Sequence, residues 1–493
     1  MTKREIRTQY SGFIFFAAKL LTVATGIGFT LMITWSITKE ENGIWGTLNI
    51  IMPYFTLMST ALPFWIMRFV ARGKEGATKT GILANTAIGT IATLIYFALL
   101  PLIIPAFGLE NYIIFFVVAA TQIIEVYLIA VLEGCLQAQR PHYVGYGLLV
   151  GEICKLLFAY VFVMALGLSL LGIAFSIAIA FAIKIAFYFR TIFRELQSKI
   201  TLGYVREWLS GSAFNIYNIA GDRIAAIILL MIPAFGTEIA ASYYQVSAPI
   251  ANVITYSSFL AFALYPKILA ENRLQEATTS LKMVLMFSIP MTAGVLAIPS
   301  AYLLILPETY VEATPVLMIL AIDALILTLS SVFGSVLFGI EKIDEKAKIP
   351  FREVMRTRLF IAFSLPYVHS LISLPTAFYV LTYFAGGQPV LVAAYALGIN
   401  TTVKFAMFLV QYTIVSRAVK IEIPWKNIAK YVIASIFIGM MLYVIHPTGT
   451  YKTLAVTALG GLAYVTLLIA IDGETRKLLK AILQEIRKNR AVS

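Results

Sequence analysis

The sequence predicts an all-α membrane protein that crosses the bilayer about fourteen times. Its mean hydropathy is +0.86, and 60% of its 493 residues are hydrophobic while only 13% are charged, a balance far from that of a soluble domain. Apolar segments recur along the whole chain, and one crossing of the roughly 30 Å hydrocarbon core needs about 20 helical residues. The segments lack the period-two alternation of a membrane barrel, so helices are the predicted element.

Charge clusters and Gly/Pro breaks divide the chain into fourteen candidate helices. They cover residues 11–37, 44–67, 81–106, 111–136, 143–166, 168–189, 209–234, 239–265, 283–306, 314–339, 359–384, 389–415, 429–445 and 453–471. The N-terminal segment has an apolar span without a small-residue cleavage site, so we expect a retained first helix.

The charge distribution predicts that both termini are cytoplasmic. With that orientation, Lys39 and Lys452 are the only basic residues of the outer connections, which instead carry Glu40, Glu41, Glu110, Glu238, Glu308 and Glu312. The net charge of +13 is then mainly a positive-inside signal, with attraction to anionic headgroups as a secondary effect. A basic soluble module is absent from the sequence, which argues against a nucleic-acid partner.

Enzymatic chemistry is not predicted. Membrane-embedded glycan polymerases and ligases present a catalytic outer loop, whereas the outer connections here are very short, for example residues 38–43. The two cysteines and three histidines show neither a disulfide framework nor a metal-ligand spacing. Glycine-rich phosphate loops are also lacking, which argues against an ATP-driven pump.

An internal repeat divides the predicted helices into two sets of six in the same orientation. A shift of 199 residues overlays Ser11-Gly12 on Ser210-Gly211, Thr38 on Thr237 and Trp45 on Tyr244, and a shift of 220 overlays Lys184 on Lys404. Chance similarity between apolar helices is the alternative. Parallel repeats about an axis along the membrane normal are a transporter architecture. The repeat predicts bundles at 1–200 and 201–420, followed by a helix pair and basic tail at 421–493.

Several segments resemble the polysaccharide transporter family. They are ITKEENGIWGTLNI (37–50), LPFWIMRFVARGKEGATKT (62–80), IAGDRIAAIIL (219–229), TEIAASYYQVSAPI (237–250) and ALYPKILAE (263–271). Members of this family are lipid-linked oligosaccharide flippases within the multidrug/oligosaccharidyl-lipid/polysaccharide (MOP) exporter superfamily. The resemblance implies two six-helix bundles around a cleft lined by helices 1, 2, 7 and 8. It also implies alternating access for a polyprenol-linked glycan, and peripheral helices 13 and 14 that hold the lipid tail.

Ten ionisable residues lie within the predicted helices. They are Lys19, Glu125, Glu133, Glu152, Lys155, Lys184, Asp222, Arg223, Asp323 and Lys404. Each costs about 2.5–3.5 kcal/mol at a helix centre on insertion scales, so we expect them to face a cavity or one another.

A cationic site is predicted on helix 7. Asn215, Asn218 and Asp222 follow Ser212 at helical spacing and form one polar stripe. Lys19 is the repeat equivalent of Asn218, so Lys19 and Arg223 are predicted to bind a phosphate group together. The alternative is that Asp222 and Arg223 only balance charge, although adjacent helical positions point about 100° apart.

Further binding and coupling residues are predicted from residue type and position. The sugar candidates are Asn49, Tyr244, Gln245, Asn252 and Tyr256, together with the stripe amides Asn215 and Asn218; helix-to-helix hydrogen bonding explains them nearly as well. Lys184 and Lys404 are predicted as additional cleft cations, with burial inherited from the repeat as the alternative. Pro53 is interpreted as a kink, and Glu152 and Lys155 as a mutually neutralising pair.

Glu125, Asp323 and Asp222 are candidates for coupling to a sodium or proton gradient, with a structural carboxyl as the alternative for Glu125 and Asp323. No other cofactor is predicted.

The predicted function is therefore that of a cell-membrane flippase for a polyprenyl-phosphate-linked glycan. Membrane lipids are its predicted surroundings, and a monomer is the favoured oligomeric state. Glycan assembly enzymes are possible partners. An ion-coupled multidrug exporter of the same superfamily is the nearest alternative. A membrane-embedded polymerase or ligase, or a non-transporting structural membrane protein, is the alternative from another class.

Overall fold

The computed structural model describes residues 21–22, 25–261, 275–341, 357–419, 421–473 and 476. These residues form helices and turns and contain no β-strand. The longer helices are α1 (25–36), α2 (Lys39–Phe55), α3 (Pro63–Ala71), α4 (Ala77–Ala106), α5 (Ile113–Ala119), α6 (Thr121–Gln139), α7 (Pro141–Ala159), α8 (Ser169–Thr191), α9 (Leu202–Ala225), α10 (Ile227–Thr255), α11 (Gln275–Ala297), α12 (Thr314–Glu341), α13 (Arg358–Tyr383), α14 (Pro389–Ala418), α15 (Trp425–Ile445) and α16 (Thr450–Ile471).

The helices are long and apolar enough for a multi-pass membrane protein. Eleven described segments qualify as spans, and a bent pair, Lys39–Phe55 with Leu57–Ala71, raises the number to twelve. One of the eleven, Asn215–Ser258, has 44 residues, which at 1.5 Å per residue is about twice the hydrocarbon thickness. Thr237 interrupts it with non-helical backbone angles, so this segment contains two helices. The total of fourteen and the orientation of the termini stay predictions.

Large apolar side chains cover the outer faces of many helices. Leu371 and Tyr383 on α13 are 76% and 71% exposed, and Val444 on α15 is 81% exposed. Such surfaces are unfavourable in water but suit contact with lipid chains.

The chain separates into two compact units. The first contains residues 1–246 and 344–399, and the second contains 247–343 and 400–493. Within the first unit α4 packs on α6, α7 on α8, and α9 on α13; within the second, α11 packs on α12 and α15, and α15 on α16. The division predicted from the repeat, at 1–200, 201–420 and 421–493, remains a hypothesis about symmetry.

A break between α2 and α3 is the main irregularity of the first unit. The two parts of this segment meet at an angle of 51°, and the break at Thr56 lies three residues after Pro53, so the predicted kink at Pro53 itself stays a prediction. A proline removes one helical hydrogen bond and clashes with the preceding turn. Bent helices release carbonyl groups, which lipid cannot satisfy.

Side chains from three other helices satisfy carbonyls released at this break. The Tyr127 hydroxyl of α6 donates to the Phe55 carbonyl at 3.1 Å. The Asn85 amide of α4 donates to the Ser59 carbonyl at 3.3 Å and to the Tyr127 carbonyl at 2.7 Å. The Ser212 hydroxyl of α9 donates to the Ala61 carbonyl at 3.1 Å. The bent shape of this span is therefore held by its neighbours.

Replacing Asn85 by Leu is expected to lower the free energy of unfolding by about 1–3 kcal/mol, because buried carbonyls lose their donor while the side-chain volume is nearly kept. Thermal unfolding of the purified protein in detergent measures the change. Asn49→Leu is the matched control, since Asn49 lies on α2 with an exposed side chain. Equal melting temperatures for the two variants would contradict a supporting role for Asn85.

Candidate functional site

The centre of the candidate site is Arg223, in the last turn of α9. Its side chain is half-buried, and its Nε atom is buried without a hydrogen-bond partner among the described residues. The same holds for the hydroxyl of Tyr54, which lies at the end of α2 next to the break. The Arg223 charge acts on that hydroxyl. Two hydrogen-bond donors thus lie near each other without an acceptor, an expensive arrangement at membrane depth.

Asp222 and Arg223 form no direct ion pair with each other, although the Arg223 charge acts on Asp222; their predicted separate partners stay a prediction. Asp222 is exposed, and its charge acts on Tyr367 of α13. Neither Asp222 nor Arg223 belongs to the ion pairs formed among the described residues. Arg223 therefore keeps its donors for another acceptor.

An aromatic stack fixes this part of α9 to α13. The Tyr217 ring stacks on Phe360 and Tyr367 at centroid distances of 5.3 Å and 4.7 Å, and the Tyr367 hydroxyl donates to the Tyr217 carbonyl at 2.7 Å. Gly221 makes the approach possible, because a Cβ there would lie 2.7 Å from the Tyr367 ring. Sequence reasoning missed this stack. Gly221, next to Asp222, could have indicated a close helix contact, but a glycine does not identify a partner about 150 residues away in the sequence.

The polar stripe of α9 serves two purposes. Ser212 is buried, and its hydroxyl already donates a hydrogen bond to the Ala61 carbonyl at the α2–α3 break. Asn215 and Asn218 are half-buried, and their side chains make no hydrogen bond with other described residues. These two amides remain available as binding groups on the helix that carries Arg223.

Lys19 lies outside the described residues. Its predicted position opposite Arg223 therefore stays a prediction.

The other two predicted cations form ion pairs. Lys184 on α8 is buried, and its Nζ lies 2.8 Å from Glu133 Oε1 of α6. Lys404 on α14 lies 2.7 Å and 2.8 Å from the two Asp323 oxygens of α12. These repeat-equivalent lysines thus each neutralise a carboxylate within their own unit. Because both charges are already compensated, the candidate anion site rests on Arg223.

Asp323 accepts further hydrogen bonds besides its ion pair. Besides Lys404, it accepts hydrogen bonds from Thr401 at 3.2 Å and from Asn400 at 3.5 Å. A coupling ion would have to displace the Lys404 ammonium to reach it.

Glu125 on α6 has a different environment. Its Oε2 atom is buried without a hydrogen-bond partner among the described residues, and the same is true of Nε2 of Gln122, three positions earlier on the same helical face. The intramembrane pair predicted from sequence on α7 is confirmed, since Lys155 Nζ lies 2.7 Å from Glu152 Oε2. Glu125 is thus distinguished from Glu133, Glu152 and Asp323 by its unpartnered oxygen.

The predicted sugar-binding residues differ in exposure. Asn49 on α2 is exposed, as are Asn252 and Tyr256 in the second unit, whereas Tyr244 and Gln245 on α10 are half-buried. Gln245 packs against Gly46 of α2, so at least part of its surface serves helix packing.

The described residues offer no cluster of metal ligands. In the part of the chain that the structure describes, no three His, Cys, Asp or Glu side chains group as metal ligands.

Comparisons with solved structures relate this fold to transporters. No family model and no curated protein sequence matches the chain. The lipid II flippase MurJ, in an inward closed conformation, superposes with a TM-score of 0.68 at 15% identity, over 95% of this chain and 100% of its own.

Two multidrug transporters of the MATE family also match. An inward-facing MATE transporter of the MOP superfamily gives a TM-score of 0.59 at 12% identity, covering 80% of this chain and 94% of its own. The MATE multidrug transporter DinF-BH, solved as a complex with a bound compound, gives 0.58 at 15% identity, covering 83% and 95%. The chain therefore has the fold of the MOP superfamily transporters.

Proposed function

We propose that this protein is a flippase that moves a polyprenyl-phosphate-linked glycan across the cell membrane by alternating access. The observation that carries the proposal is the pair of buried, unpartnered donors, Arg223 Nε and the Tyr54 hydroxyl, among the described residues. A diphosphate group offers several charged acceptor oxygens, and a guanidinium binds such oxygens through its planar fork of N–H groups. Arg223 therefore binds the diphosphate, and Tyr54 adds a second donor.

The neighbouring residues fit this substrate class. Asp222 supplies a negative charge next to Arg223 and limits the cost of an unoccupied cation in the membrane. The amides of Asn215, Asn218 and Asn49 can exchange hydrogen bonds with sugar hydroxyl groups. Asn252 and Tyr256, both exposed, are proposed as further glycan contacts, and Lys19 as a second phosphate ligand.

The alternative function is ion-coupled export of small molecules, as expected for a MATE-like protein. The extent of the structural match favours the flippase, since MurJ superposes over 95% of this chain and the two MATE transporters over 80% and 83%. An organic cation would also gain nothing from an arginine whose charge acts on a neighbouring tyrosine donor. Export nevertheless makes a distinct experimental prediction.

Arg223→Ala is expected to slow the flipping of a fluorescent polyprenyl-diphosphate oligosaccharide in proteoliposomes by at least about tenfold, because hydrogen bonds to charged groups contribute roughly 1.5–3 kcal/mol. Arg223→Lys should retain part of the rate, since it keeps the charge and loses the fork. Tyr54→Phe should give a smaller loss.

Arg72→Ala is the matched control because Arg72 is exposed, and its flipping rate should equal that of the parent. Parent-like rates for both Arg223→Ala and Tyr54→Phe would contradict the anion site. A parent that exports cationic dyes and does not flip the lipid would instead support the exporter.

Glu125 is the proposed coupling group, because it alone among the described intramembrane glutamates keeps a buried oxygen without a partner. We expect a proton or sodium gradient to accelerate flipping by the parent, and Glu125→Gln to remove this acceleration while leaving the gradient-free rate within about twofold. Stimulated and unstimulated rates in the same proteoliposomes separate the two effects. Unchanged stimulation in Glu125→Gln would exclude Glu125 from coupling.

A further inference from the structure

The N-terminal turns of α2 are in unusually close contact with the middle of α10. A Cβ atom at Gly43 would overlap the backbone carbonyl of Glu238, and one at Gly46 would lie 3.1 Å from the Gln245 Cβ and 3.2 Å from the Ala241 carbonyl. The two helices can touch here only because α2 carries glycine at both positions.

Polar side chains join the same two helices around the glycines. The Asn42 amide donates to the Ser242 hydroxyl at 3.3 Å, and both side chains are buried. The Lys39 ammonium donates to the Tyr243 hydroxyl at 2.8 Å and lies 4.3 Å from the centre of its ring. We call the contact formed by residues 39–46 and 238–245 the α2–α10 junction.

The junction joins repeat-equivalent positions. The shift of 199 residues overlays Gly46 on Gln245, and these two residues touch. It also overlays Lys39 on Glu238 and Gly43 on Ser242, which precede that pair in the two helices. A contact between equivalent residues is expected where a two-fold axis passes between two elements. In the predicted repeat the junction therefore lies on the pseudo-two-fold axis, where two halves of a transporter must part during alternating access.

Thr237, directly before the junction, has a strained backbone. Its φ of 62° and ψ of −176° fall in a region that is essentially restricted to glycine, and threonine is β-branched. Its side chain is exposed, so side-chain packing does not explain the conformation. The repeat-equivalent residue is also a threonine: Thr38 has an ordinary φ of −70° and ψ of 165° and caps α2 in a capping box with Glu41. The same residue type is relaxed in one half and strained in the other.

We propose that Thr237 is a strained hinge that is held by the α2–α10 junction and favours its opening. When the junction is closed, the kink between the two helical parts of α10 falls on Thr237 alone, because the residues after it are fixed by packing against α2. When the junction opens, Thr237 can return to an allowed conformation. The junction lies at the end of the protein that the charge distribution predicts to face outward, so the hinge would regulate opening to the outside; this purpose rests on the proposed transport function.

The test uses a cysteine that reports on opening. Ser242→Cys in a Cys135→Ala/Cys154→Ala background places one thiol at a fully buried position of the junction, and its rate of reaction with a maleimide in nanodiscs measures how often the junction opens. Thr237→Gly removes the strain of the closed state and should slow labelling by about five- to hundredfold. Thr237→Ala keeps a Cβ atom and hence the strain, so its labelling rate should stay near that of the reporter protein.

Gly43→Ala should act in the opposite direction and accelerate labelling, because its Cβ cannot fit against Glu238. Gly461→Ala is the matched control, since no atom lies within 4 Å of a Cβ at that helical glycine. Equal labelling rates for Thr237→Gly and Thr237→Ala would overturn the hinge, even if Gly43→Ala failed to fold. Labelling needs no substrate. If the labelling rates change as expected but the protein does not flip lipid, the proposed transport function is refuted and the hinge is retained.

Discussion

The structure depends on one constraint: inside a bilayer, every polar group must find its partner within the protein. The bent span α2–α3 shows how demanding this is. Its released carbonyls are bonded by Asn85, Tyr127 and Ser212 from three different helices. These bonds tie the bend to the surrounding bundle and hold Tyr54, at the end of α2, in place.

Charged groups obey the same constraint. Lys184 and Lys404 each neutralise a carboxylate, and Glu152 pairs with Lys155. Removing one partner of such a pair is costly, while the intact pair contributes little net stability. Arg223, Tyr54 and Glu125 are among the side chains that depart from this pattern, and each carries a buried atom without a partner among the described residues. Because two of these three groups are ionisable residues at membrane depth, they are the candidates for contact with a substrate or a coupling ion.

Part of this picture could be predicted from sequence. Hydropathy identified the spans, and the spacing of Glu152 and Lys155 identified their pair, because both signals are local. The partners of Lys184 and of Arg223 could not be predicted, since hydropathy does not show which helix faces meet. Thr237 was matched to Thr38 by the repeat, but residue type alone gave no sign that only one of the two is strained. The role of Lys19 and the exact symmetry of the bundles stay predictions.

The most direct test of the account is the affinity of the purified protein in nanodiscs for three lipids that share one polyprenyl chain. If Arg223 and Tyr54 bind a diphosphate, affinity should fall from polyprenyl diphosphate to polyprenyl monophosphate to the uncharged polyprenol, and Arg223→Gln should remove most of the difference. Equal affinity for all three lipids in the parent protein would contradict the central claim, because the chain alone and not its charged group would then be recognised.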